Sequence, residues 1–280
     1  MKYKENETIN QNMQITENFT FANARKKAYR EYKSGKAEAR CIYREKRRAL
    51  KDEYEICERE LRETFNIPLK KEPPKRTLAE ELANSITHGL GALFALASLV
   101  VLLVLSDTSE EYAGAIIYSL GLFIMFIAST LYHAFRHGSA VKRLFRRFDY
   151  SSIYLLIGAT FAPPLLSVVG GTFGLVFIII QWAIIVTGIT LVGVFGPTRL
   201  RFIHIPAYVV LGWSALMLFP SLISVSLPLA LWILAGGVIY TVGIIPFVLK
   251  MKGAHSVWHL FVLLGALVQW IGIFKYIYLA

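Results

Sequence analysis

The sequence predicts an all-α fold, a seven-transmembrane helix bundle with an amino-terminal cytosolic helical extension. Three observations predict it. The 280 residues are 55% hydrophobic with a mean hydropathy of +0.49, above the roughly 45–50% apolar content of soluble domains. Charge is segregated, with twenty of the thirty Lys and Arg and fifteen of the nineteen Asp and Glu lying before residue 86. Beyond that point the chain falls into seven apolar stretches, each close to the ~20 residues that cross a bilayer as a helix.

The charged part, residues 1–77, is read as a cytosolic helical segment followed by a linker. Its first twenty residues hold no apolar core of a secretory signal, so insertion is expected to rely on the internal helices. From Phe21 to Phe65 the composition is rich in Ala, Arg, Lys and Glu, and opposite charges recur at i,i+4, as in Lys51 with Glu55 and Glu58 with Arg62. This pattern predicts helix, with Gly35 as a candidate break. Ile42, Leu50, Tyr54, Cys57 and Leu61 form a thin apolar stripe, enough to dock on something but not to build a core. The segment is expected to be a solvated helix, or one that lies on anionic lipid headgroups or pairs with a cytosolic partner. Cys41 and Cys57 are read as helix-packing residues without a metal or redox role, because no CxxC or neighbouring His accompanies them. The prolines of NIPLKKEPP, residues 66–74, mark the linker.

The membrane domain spans residues 78–280, with apolar stretches at about 88–106, 112–135, 149–169, 171–195, 202–219, 223–249 and 256–279. Pro163, Pro164, Pro206 and Pro246 predict kinks, and Gly170-Gly171 a tight turn. Loop charges set the orientation. Arg136, Lys142, Arg143, Arg146, Arg147, Arg199, Arg201, Lys250 and Lys252 flank one set of alternate loops, and no Lys or Arg flanks the others, around Asp107–Glu111, Gly170 and Ser221. The amino terminus is therefore expected in the cytosol and the carboxyl terminus outside, in a multi-pass cell-membrane protein.

Ionisable groups at membrane depth are unfavourable unless paired, so each marks a candidate site. Asp149 is the only carboxylate after residue 111 and is read as opening the third span, where a helix-start carboxylate would also be favourable. His255 and His259, four apart, project from one face of the seventh span, and His133 closes the second with Ser129 one turn deeper. The topology brings these three His and one Asp to one depth, at the inner face. Such a set matches a catalytic-type zinc site, in which three protein ligands leave an open position. Glu81, Asn84 and His88, at i, i+3, i+7, share a helical face on the same side; they are expected to act by capping and hydrogen bonding beside the site. His137 and His204 are expected to be interfacial.

The segments ELANSITHGLGA, ASTLYHAF with FDYSSIYLLIGATFAP, and AHSVWHLFVLLGALVQW resemble the signature regions of the bacterial hemolysin III family, within the progestin and adipoQ receptor group. The motifs are E-x2-N-x3-H (Glu81, Asn84, His88), S-x3-H with a downstream Asp (Ser129, His133, Asp149) and H-x3-H (His255, His259). The resemblance implies a seven-helix fold with zinc near the inner leaflet, the metal on His133, His255 and His259, and Asp149 beside the metal-bound water. Membrane ceramidases share the Ser, His and Asp constellation, which implies lipid amide hydrolysis with Asp149 and Ser129 as its catalytic pair. The chain is thus expected to act on or sense membrane lipids. The alternatives are a non-catalytic regulator of membrane homeostasis and a cytolytic pore, although polar groups confined to one face of the membrane argue against a pore. No nucleic-acid partner is expected.

Overall fold

A computed structural model describes residues 2–64, 75–248 and 253–280, with side chains described except at 2–19, 22, 58, 59, 61–64, 247 and 248. The chain divides into two units, residues 1–70 and 71–280. The expected linker at 66–74 and the charges at Lys250 and Lys252 lie outside the described residues.

The described residues of the first unit form one helix, α1 (Lys2–Thr64). It runs through Gly35 without the expected break, because a single helical Gly is only about 1 kcal/mol less favourable than Ala and long good-helix-forming flanks outweigh that. Lys51 and Glu55 pair at 3.3 Å as the i,i+4 spacing predicts; the Glu58–Arg62 side chains lie outside the described set. Cys41 and Cys57 are exposed free thiols, which corrects their reading as packing residues.

Among the described residues the second unit holds seven helices long and apolar enough to cross a membrane, α2 (Leu78–Leu105), α3 (Ser109–Ala134), α4 (Ala140–Val169), α5 (Gly171–Phe195), α6 (Arg201–Val225), α7 (Leu227–Val248) and α8 (Ala254–Tyr278). No strand occurs among the described residues. Thr77 and Thr108 start α2 and α3 with capping boxes to Glu80 and Glu111, the T-x-x-E signature of a helix start. Ser139 caps α4 through the Lys142 amide. The α4 helix loses regularity at Phe161, passing through Pro163-Pro164 into a π-helical turn at Leu165–Val169. In α6 a 3-10 turn, Ser214–Leu218, precedes Pro220; Pro206 and Pro246 instead lie inside helix. Gly170 and Gly171, at φ 53° and 59°, make the tight α4–α5 turn, where a side chain would be strained.

The α3 helix is central. Its buried residues run from Gly114 to His133, and it packs against α2 and α4, while α8 packs against α7 and α2. Small residues set these approaches, Gly121 facing Ala159 and Gly188 facing the Tyr154 ring, as expected where van der Waals fit drives helix association in lipid. Two starts differ from the hydropathy reading. The α2 helix begins ten residues before the apolar stretch at 88, and α4 begins at Ala140. Asp149 therefore lies well inside α4 rather than opening it, and a helix-start role does not account for it.

Candidate metal centre

Antiparallel alternation gathers the start of α2, the end of α3 and the starts of α4 and α8 at one end of the bundle. There His133, His255 and His259 each bring one donor atom to within 4.8 Å of the others. His255 Nε2 lies 3.1 Å from His133 Nε2 and 3.0 Å from His259 Nε2. The i,i+4 spacing on α8 puts two of these imidazoles on one face; the third enters from α3.

This geometry could hold a metal ion. Three nitrogens at 2.0–2.1 Å from a tetrahedral ion sit about 3.3 Å apart, close to the two His255 spacings, while the set as a whole lies within 4.8 Å. His133 Nδ1 lies 2.6 Å from Glu81 Oε2, so Nδ1–H donates to the carboxylate and the Nε2 lone pair faces the other rings. A carboxylate on the far nitrogen orients metal-binding histidines and raises their basicity. Asn84 Nδ2 stands at 3.5 Å from the same Nδ1, too long to compete. His88 donates from Nε2 to the His259 carbonyl at 3.3 Å and stacks on the His259 ring with centroids 3.8 Å apart. Glu81 and His88 thus hold the cluster from the α2 face, with Asn84 buried beside it.

Asp149 is buried but contributes no atom to the trihistidine group. The Ser129 hydroxyl faces its carboxylate without closing a direct hydrogen bond. Both line a cavity of about 230 Å³ with His88, His255 and His259. It continues between α4, α6, α7 and α8 past Leu156, Phe161, Pro164 and Leu222. About 22 Å of helix rise separates Asp149 from Pro164, so the cavity is an apolar slot leading from the polar cluster into the bundle.

By sequence Lys142 counts as a loop charge. The structure instead buries it completely, at 0% exposure. Its Nζ pairs with Glu81 Oε1 at 2.9 Å, donates to the Phe135 carbonyl at 3.0 Å and lies 4.9 Å from the Tyr132 ring centre. Glu81 therefore bridges Lys142 and His133, one oxygen to each. Tyr132 Oη accepts from Arg76 at 3.3 Å, and Arg76 and Arg146 stand within electrostatic reach of Asp149. A sequence signal exists, since Lys142, Arg146 and Asp149 are spaced i, i+4, i+7 on one face of a helix. His204 also departs from expectation. It is buried, with Nδ1 2.9 Å from the Tyr154 hydroxyl, whereas His137 is exposed.

Replacing Lys142 with Met keeps most of the stem but leaves Glu81 with one partner in a buried setting. Metal affinity, read by chelator competition, is expected to fall about 10–100-fold, with Lys142→Arg losing less. Unchanged affinity in Lys142→Met would make the ion pair purely structural.

Fold and site together define a seven-helix integral membrane protein with a buried trihistidine centre at one end of its bundle. The chain belongs to the Haemolysin-III related family, whose pattern matches residues 76–270. Hemolysin-3 of Bacillus cereus is 32% identical over 206 residues, covering 71% of this chain and 92% of that protein. The hemolysin-3 homolog of Bacillus subtilis (strain 168) is 31% identical, covering 68% and 91%. Human monocyte to macrophage differentiation factor is 31% identical, covering 73% and 87%. The signature residues cited above fall within the matched region.

Proposed function

We propose that this protein is a zinc-dependent hydrolase of amide or ester bonds in lipids of its own bilayer. One observation carries the reading. His255 and His259 of the trihistidine cluster, with Asp149 and Ser129, meet the head of an apolar slot that runs into the membrane-spanning helices, a shape that suits a lipid with its carbonyl at the polar end and its chain in the slot.

His133, His255 and His259 would hold the zinc, with Glu81 fixing the His133 tautomer. The metal would supply Lewis acidity and a water nucleophile competent near neutral pH. Asp149 would take the proton of the attacking water and return it to the leaving amine or alcohol. Ser129 would keep that carboxylate or an intervening water in place by hydrogen bonding. The apolar walls would position the chain and limit access of bulk water. Purified protein is to be incubated with ceramides and other amide or ester lipids, with and without a chelator. Turnover that is lost on chelation and restored by zinc supports the reading. No turnover by zinc-loaded protein across the panel would replace it with a regulator in which the metal only locks α3 and α8 together.

The site is proposed to face the cytosol of a cell-membrane protein, because all nine loop-flanking Lys and Arg belong to its end of the bundle by sequence. In intact cells, a cysteine at Ser221 is expected to react with an impermeant reagent and one at Ser139 to stay protected. The reverse labelling would move the site to the outer face.

A further inference from the structure

We propose that α1 is a self-pairing helix, docking antiparallel on the α1 of a second copy of this chain. Tyr29, Tyr32, Tyr43, Leu50 and Tyr54 are each 63–66% exposed. At 3.6 residues per turn they fall within about 60° of arc, an apolar stripe that Lys36 and Arg47 interrupt on the same arc. Such a stripe on a long helix is a pairing seam in want of a partner.

Charge selects the partner and its direction. Residues 25–51 carry twelve Lys and Arg against three Glu, whereas residues 52–64 carry six Asp and Glu against two Arg. Parallel pairing would set the basic block on its own copy along its whole length. Antiparallel pairing about Arg48 and Ala49 opposes residues 33–45, with four Lys and Arg against two Glu, to the acidic residues 52–64, twice by symmetry. It brings Tyr43 level with Tyr54 of the partner subunit and Arg44 level with the partner's Glu53. The two ends at Thr64 would stand about 47 Å apart along the pair. An anionic bilayer is the weaker occupant. The stripe is built from Tyr with a single Leu and no Trp, unlike the Trp, Phe and Leu faces of interfacial helices, and the acidic end would be repelled from the headgroups. No residue of the metal centre takes part in the pairing, which stands apart from the lipid hydrolase reading.

The test uses the full-length chain with Cys41 and Cys57 changed to Ser, reconstituted in neutral phosphatidylcholine bilayers. Tyr43→Cys and Tyr54→Cys proteins are mixed and treated with a short bismaleimide. The mixed product, joining position 43 of one copy to position 54 of the other, is expected to exceed either same-site product. Reversing Arg40, Arg44 and Arg47 to Glu should lower it about tenfold, and adding Asp52→Arg, Glu53→Arg and Glu55→Arg should restore it. A dominant product joining two copies through position 43 of each would overturn the antiparallel arrangement. Absence of cross-linking, with protection of the stripe from thiol reagents only when phosphatidylserine is added, would assign the face to an anionic membrane and overturn self-pairing.

Discussion

Asp149→Asn is expected to keep its metal and lose roughly 10²–10⁴-fold in lipid turnover, the usual scale for a general base. The carboxylate lies inside α4, beside Ser129 and at the head of the slot, yet outside the set of converging nitrogens. Metal retention would therefore not depend on it. Asn keeps the size and a hydrogen-bonding carbonyl but cannot accept a proton from water. The substitution also leaves Arg76 and Arg146 near a neutral group, so a thermal-stability control accompanies the assay. Metal content, melting temperature and hydrolysis are to be measured on one preparation. Retained metal with unchanged hydrolysis would remove Asp149 from the mechanism.

Seven spans are legible because hydropathy alone marks twenty-residue apolar windows, and the seven helices follow those windows. Their starts are less legible where polar residues occupy the first turns of a helix. Residues 78–87 of α2 include Glu80, Glu81 and Asn84, so an apolar window misses turns that the Thr77 capping box announces. The same holds for α4, whose first turns carry Lys142, Arg143, Arg146 and Arg147. In the sequence those residues look like loop charge, which places Asp149 at a helix start.

Within the site, the residues on recognisable spacings can be found from sequence. His255 with His259, Ser129 with His133, and Glu81 with Asn84 and His88 each sit at helical intervals, and topology alone predicts a shared depth. Lys142 escapes such a reading because its burial depends on Glu81, which pairs with it from another helix. His204 is misplaced for the same reason, since neighbouring Arg201 suggests an interface and only the fold supplies Tyr154. Long-range pairing of polar groups is set by which helices are neighbours, which a single periodicity does not encode.

His255→Ala and His259→Ala are each expected to weaken metal binding severely, and the double variant to abolish it. Two of the three converging nitrogens would be gone, and His133 alone does not make a structural or catalytic zinc site. The Glu81–His133–Lys142 network belongs to α2, α3 and α4, so the rest of the bundle keeps its polar partners, and a monodisperse profile on size-exclusion chromatography would confirm an intact fold. The most direct test is zinc per chain by elemental analysis of wild type and the His255→Ala/His259→Ala double variant, purified in parallel after equal exposure to zinc. The expected result is about one zinc per chain in the wild type and none retained by the folded double variant. A folded double variant holding as much zinc as the wild type, or a wild type that holds none, would contradict the trihistidine centre.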